Sequence, residues 1–283
     1  MTRILFPFDF STQGLEIVPY VRAFATRFDA TVTVLSVVPP TWELPPEGMR
    51  PLVGDSPREW VHALQDRLDR SLIDDFKDLR VERVADGGDP ALRIAAFAGA
   101  NQVDVIMMPT HGLGVFRRFL VGSVTSKVLH DATCPVWTAA HAETQRSPHL
   151  PQQVLCAVDG TSKSAALLQW ADVFCHTLNA RLNVLHVVGP MTDWPSLARE
   201  RELQEQVREE ARANLEKTQH AAGLALPIRV AVGEIVNTVV EDARQEHADL
   251  VIIGRGSIAE PFGRLRTHAF GIVQQSPCPV LSV

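Results

Sequence analysis

The stretch from Val103 to Val136 carries the residues best suited to chemistry: an apolar run Val105-Ile106-Met107-Met108, then Pro109, Gly112 and the pair Gly122-Ser123. Backbone amides in a glycine-bearing loop, followed by the amino end of a helix, attract an anion because free N–H groups and the helix dipole both present positive charge. Ser123 suits a helix cap or a hydroxyl donor to a ligand oxygen. A plain turn and a plain cap are the competing reading. Arg117 and Arg118 lie between the glycines, but an arginine pair on a loop is as readily just solvated, and neither is assigned to the site. His111 beside the loop invites reading as a base; local packing or hydrogen bonding is the simpler role. The remaining histidines have no ligand spacing, and Cys134, Cys156, Cys175 and Cys278 form no C-x-x-C pattern, so they are expected as buried free thiols. Gly112-Leu113-Gly114 and Gly254-Arg255-Gly256 follow strands without completing G-x-G-x-x-G, and neither follows the first strand, which argues against a dehydrogenase. Walker lysine, nucleophile elbow and His-Glu metal pair are all missing from the sequence. The legible chemistry is therefore holding an anion.

The elements around that loop read as alternating strands and helices. Arg3 to Phe8 is a strand, Asp9-Phe10-Ser11 a turn and cap, and a helix runs to about Phe28 with Leu15, Val18, Val21, Phe24 and Ala25 near helical spacing and Pro19 expected to kink it. Ala30 to Val38 is a β-branched strand stopped by Pro39-Pro40. The prolines at 39, 40, 45, 46 and 51 mark a surface loop. Trp60, Leu64, Leu68, Leu72 and Phe76 predict one amphipathic helix from Pro57 to Leu79. Val81 to Ala85 is a strand, Ala91 to Asn101 a helix, and Val136 to Ala139 a fifth strand.

The pattern then begins again. Residues 142–152 are polar with two prolines and read as a linker between a domain at 1–141 and another at 153–283. Val154 to Val158 with Asp159 repeats Ile4 to Phe8 with Asp9. Leu182 to Val188 repeats the second strand, and Leu197 to Ala222 the long helix. Val230-Ala231-Val232-Gly233-Glu234 answers Val84-Ala85-Asp86-Gly87-Gly88; Ala248 to Gly254 answers Val103 to Pro109; Pro277-Cys278-Pro279-Val280 answers Thr133-Cys134-Pro135-Val136. Each half is thus a five-stranded α/β unit, which calls for a parallel sheet with helices on both faces and a ligand outside the strands' carboxyl ends.

Charge excludes a polyanion platform. The net charge of -6 is spread evenly: residues 1–141 hold 14 Lys/Arg against 17 Asp/Glu and the remainder 13 against 16. No apolar run approaches the roughly 20 residues of a membrane span, and Asp9 interrupts the apolar start, so a cytoplasmic chain with neither nucleic-acid nor membrane partner is expected.

Both halves resemble the universal stress protein family, whose adenine-nucleotide-binding members carry G-x2-G-x9-G-(S/T) after the fourth strand. The match is Pro109-x2-Gly112-x9-Gly122-Ser123-Val124-Thr125, supported by Phe6-Pro7-Phe8-Asp9-Phe10-Ser11, Thr110-His111 and Thr133-Cys134-Pro135-Val136. The resemblance implies a Rossmann-like strand order of 3-2-1-4-5 in each half. It implies that Asp9 meets the ribose or adenine edge, and that Pro7 and Val37 line the base pocket. Gly112, Gly122, Ser123 and Val124 would hold the phosphates of ATP or a related nucleotide, with Mg²⁺ as an optional companion and hydrolysis at most slow. An Asx turn for Asp9 and ordinary core for Val37 are the plainer roles. Pro109 replaces the motif's first glycine and removes one N–H. In the second half the counterparts are Asp159, Val187, Gly254, Gly256 and Thr267, with Arg266 where a glycine belongs, so weak or no nucleotide binding is expected there. A sensor or regulatory binding module is the leading function, and a nucleotide-free interaction or scaffold protein the alternative. The resemblance also implies domain pairing through the last strands, Val136 to Ala139 with Val280 to Val283, and leaves a homodimer open.

Overall fold

The computed structural model of the chain describes residues 1–40, 57–111, 121–139, 150–189, 197–255 and 267–283. Two compact units span Met1–Leu150 and Pro151–Val283. Most of the expected linker and of the proline-rich loop lies outside the described residues.

The first unit runs β1 (Arg3–Pro7), α1 (Thr12–Phe28), β2 (Thr31–Val38), α2 (Pro57–Asp69), β3 (Arg80–Gly87), α3 (Pro90–Ala100), β4 (Val105–Pro109), α4 (Ser123–Asp131) and β5 (Val136–Ala139). The second runs β6 (Gln153–Val158), α5 (Ser164–Leu178), β7 (Arg181–Val188), α6 (Leu197–Ala221), β8 (Ile228–Val232), α7 (Ile235–Gln245), β9 (Leu250–Ile253), α8 (Thr267–Gln275) and β10 (Val280–Ser282). Strand order is β3-β2-β1-β4-β5 in the first and β8-β7-β6-β9-β10 in the second, each a parallel 3-2-1-4-5 sheet. The central strands read as continuous apolar runs because helices cover both faces: Ile4, Leu5, Phe6, Ile106 and Met107 are all fully buried.

Two acids fasten the repeat at the sheet's other end. Asp104 accepts from the amides of Thr2 and Arg3, and Asp249 accepts from those of Gln152 and Gln153. Burial alone would push the Asp104 carboxyl up, but the Thr2 and Arg3 amides outweigh it and hold it below the usual range.

Several sequence expectations change. α2 stops at Asp69 rather than at Leu79. Leu72 adopts a left-handed backbone at φ 55°, and the Arg83 guanidinium takes the Ser71 carbonyl at 3.1 Å and that of Leu72 at 3.5 Å. Unwinding there still buries Leu72 and Phe76. Leu15 is exposed, and Ile17 with Gly14 takes its place on the buried stripe of α1. The helix runs on through Pro19, which faces solvent. β3 extends to Gly87, two residues past its expected end. The repeat also shifts by one at this strand. Gly88 N donates to Val38 and Gly233 N to Val188, so Gly233 answers Gly88, and Ala231 answers Asp86.

All four cysteines are buried free thiols. Burial pushes the Cys175 thiol up to about 12 and Cys156 higher still, which leaves both unreactive as nucleophiles.

Asp242 of α7 is 3% exposed, yet the described residues give its Oδ2 no partner; its Oδ1 lies 2.7 Å from Arg229 Nη1. Burial pushes this carboxyl up, Arg229 draws it back and Glu246 raises it further. A raised native value means that the stabilisation is full below the unfolded carboxyl range and declines as pH climbs through the native value. Asp242→Asn is therefore expected to melt above wild type at pH 8, with the gap closing toward pH 4. Thermal unfolding across pH checks this, and a lower melting point for the variant at pH 8 would mean that the Arg229 ion pair dominates.

Candidate functional site

Strand alternation gathers the site. Successive residues of a strand point to opposite faces, and register partners on adjacent strands share a face. Pro7 pairs with Leu35, Thr33 with Glu82 and Val37 with Asp86. The Thr33 hydroxyl reaches Glu82 Oε2 at 3.4 Å, which displays the shared face. The face is identified by Asp86, whose Oδ2 lies 3.6 Å from Arg93 Nε of α3. Gly87 faces the other way, where an added Cβ would meet Val61 of α2 at 3.3 Å. Pro7 and Val37 thus share the side of the sheet covered by α3. α4 packs on α3 and is tied to it by Lys127 Nζ to Asp89 Oδ2 at 3.1 Å. The Leu92 amide, and then Lys127, hold the Asp89 carboxyl below its usual range.

The turn after β1 is set by Asp9 and Phe10. Asp9 Oδ1 accepts from Ser11 N at 3.0 Å, an Asx turn, and Ser11 Oγ accepts from Gly14 N at 3.0 Å to cap α1. Phe10 holds φ 61° there, a left-handed conformation that costs a non-glycine residue about 1–2 kcal/mol. Its ring compensates by packing at a tilt of 51° against Phe8, with centroids 4.8 Å apart, and by lying under Arg67, whose Cζ is 3.9 Å from the ring centre. Asp9 is exposed, and the described residues give its Oδ2 no partner.

The end of β4 is locked into its neighbours. Thr110 N donates to Ala139 O at 3.0 Å, and Thr110 Oγ1 lies 3.2 Å from the same carbonyl and 2.9 Å from His111 Nδ1. His111 is thus built into the strand end, in keeping with its plain reading. Pro109 ends the strand beyond the last pair that β1 makes with β4, so its missing N–H removes no bond from that ladder.

Gly122 departs from expectation. Its amide donates to Thr110 O at 2.7 Å, so that N–H is spent and Gly122 instead serves as the cap residue of α4. An added Cβ would meet Thr110 O at 3.3 Å, a reason for glycine independent of any ligand. Ser123 is the first helical residue and not the cap. Among the described residues no side chain caps α4, so they give the first-turn amides of Ser123, Val124 and Thr125 no capping partner. Thr125 turns its hydroxyl inward to Pro109 O at 3.1 Å. Gly112, Arg117 and Arg118 lie outside the described residues.

The second unit differs at the matching points. Asp159 Oδ1 receives Thr161 N at 3.0 Å, Thr161 Oγ1 at 2.7 Å and Ser164 Oγ at 3.2 Å. Gly160 occupies the left-handed position at φ 73°, with His186 against it: an added Cβ would lie 3.0 Å from the ring. His186 Nδ1 lies 2.9 Å from Val158 O, which can only accept, so Nδ1 carries the proton. Val187 is buried on β7. Arg255 is buried where the first unit has Thr110, its amide donating to Val283 O as Thr110 donates to Ala139. Gly254 is described, Gly256 lies outside the described residues, and Thr267 opens α8. The sequence pattern includes Thr125 without giving it a role, and it does not single out Asp86, which strand register places beside Val37.

The family model described as Universal stress protein family matches residues 1–139 and again 151–283. A universal stress protein of Methanocaldococcus jannaschii is 31% identical over 136 residues, which are 47% of this chain and 79% of that protein. Among solved structures, a universal stress protein from Archaeoglobus fulgidus superposes with a TM-score of 0.71 at 20% identity, covering 99% of this chain and 97% of the other. A Pseudomonas aeruginosa protein described as functionally unknown gives 0.67 at 15% identity, covering 100% and 92%.

Thr125 tests the frame of the site. Thr125→Val keeps the shape but leaves the Pro109 carbonyl without its donor, and an unpaired buried acceptor costs about 1–3 kcal/mol. Urea unfolding should show a loss of that size; an unchanged midpoint would mean that the bond does not hold α4 to β4.

Proposed function

The chain belongs to the universal stress protein family, and on that premise we propose that its first half binds ATP or a related adenine nucleotide as a stress-linked sensor or regulatory module. The observation that carries this reading is the amino end of α4, where the described residues give the amides of Ser123, Val124 and Thr125 no side-chain cap. Three such amides and the helix dipole suit a polyphosphate. The Ser123 hydroxyl adds a donor beside them. Asp9, with an oxygen left over from its turn, suits a ribose hydroxyl or a base edge. Pro7 and Val37 share the face on which a planar base would lie. Mg²⁺ enters with the phosphates as their counter-ion.

The second half is proposed as a structural partner without nucleotide. Asp159, which receives three donors from its own loop at Oδ1, has less capacity left for a ligand than Asp9. This favours the interaction or scaffold role for that half.

Isothermal titration with ATP and Mg²⁺ on wild type and on Gly122→Arg tests the assignment. One site per chain is expected in wild type, with affinity at least about tenfold lower in the variant, because an arginine there crowds Thr110 O and the helix start. Circular dichroism and melting verify that the variant folds. No heat for the wild type, or equal binding by both, sinks the assignment.

A further inference from the structure

We propose that Asp86 selects the base of the bound nucleotide, accepting a hydrogen bond from the exocyclic amine of adenine. The inference rests on the nucleotide reading of the first half and extends it to a residue on a different strand.

Asp86 is the direct register partner of Val37, in the last pair but one of an eight-residue parallel ladder between β2 and β3. Register partners share a face, and their side chains stand about 5 Å apart. A base resting on Val37 therefore has the Asp86 carboxylate at its edge. The side chain is 39% exposed, so it meets a ligand approaching from outside the sheet.

Its carboxylate is also held in place. Oδ1 accepts from the Gly87 amide at 2.7 Å, and Oδ2 lies 3.6 Å from Arg93 Nε. The Arg93 side chain crosses Gly88, whose φ of 137° lets the chain turn there and whose missing Cβ would otherwise lie 2.7 Å from Arg93 Nε. Each carboxylate oxygen has two lone pairs, so these contacts orient the group and leave acceptor sites. An ionised carboxylate has no proton to donate. At the purine 6-position it accepts from the amine of adenine and repels the oxygen of guanine, so adenine is preferred with that position facing β3. A preference for GTP would mean that guanine's N1–H and 2-amine face it instead, and overturns the inference.

Asp86 has no counterpart in the other half. The register aligns Val187 with Ala231, so the place beside the matching valine holds a methyl group. This difference accompanies the engaged Asp159 and gives the second half neither acid in a ligand-ready state.

The test is titration of ATP and GTP, each with Mg²⁺, into the full chain as wild type, Asp86→Ala and Asp86→Asn, with melting curves to verify folding. Wild type should favour ATP over GTP by about tenfold or more, the range expected for one hydrogen bond to a charged group. Asp86→Ala should lose most of the ATP advantage, through weaker ATP binding and GTP binding no weaker than that of wild type. Asp86→Asn, which can also donate, should bind GTP better than wild type does. Unchanged ATP selectivity in Asp86→Ala, or an equal loss for both nucleotides, overturns this inference and leaves the nucleotide reading standing. A wild type that binds neither nucleotide overturns both. If only the alanine variant is unfolded, the asparagine variant decides: an unchanged ATP to GTP ratio counts against the inference.

Discussion

The two-residue alternation of a parallel strand is the constraint from which the rest follows. Once β1 lies between β2 and β4, register fixes which residues share a face, and Pro7, Leu35, Val37 and Asp86 stand together with α3 over them. A slip of one residue in β2 or β3 would exchange that strand's members of the set for the opposite face. The site is thus specified by the same burial that stabilises the sheet, and needs no separate device to bring its members together. The ring ladder Phe6, Phe8 and Phe10, with Phe76 edge-on to Phe6, belongs to the other face and anchors β1 from behind.

At the carboxyl end of β4 the geometry depends on a second set of bonds. Gly122 N to Thr110 O and Thr125 Oγ1 to Pro109 O return the chain onto the strand that it left, before and after the start of α4. The helix therefore begins at a fixed point at the carboxyl end of β4. With the Gly122 amide spent on this closure, the amides of the first helical turn are the ones proposed to face an anion. A glycine that a motif suggests as a ligand contact thus has a structural reason of its own, since any side chain would press on Thr110 O.

The fold was legible because its signals are periodic and occur twice. Apolar runs of four or five residues closed by glycine or proline, alternating with amphipathic helices, leave a parallel α/β unit as the simple solution. Helix ends were less legible. Trp60 to Phe76 keeps helical spacing past Asp69, but spacing alone could not register the arginine at position 83 that draws off the Ser71 and Leu72 carbonyls. Asp9, Pro7 and Val37 are proposed for the site from the family pattern, whereas Asp86 is invisible to that pattern. At β3 the repeat is ambiguous by one residue, because the two glycines at 87 and 88 face the single glycine at 233 and either could match it. Backbone bonds to Val38 and Val188 resolve the offset.

That offset bears on how the halves diverged. The two units differ, among other places, at strand ends and the turns that follow them: Asp86 against Ala231, Thr110 against Arg255, Phe10 against Gly160 and Gly14 against Ser164. None of these exchanges touches the buried apolar runs. Ser164 donates to Asp159 in a place where the first unit has a glycine that leaves its acid alone, and the left-handed turn that Phe10 holds at a steric cost is relieved in Gly160. The second turn is thus satisfied by its own hydrogen bonds. The first keeps a strained residue and an acid with acceptor capacity to spare, a combination expected where a ligand, rather than the chain itself, completes the bonding.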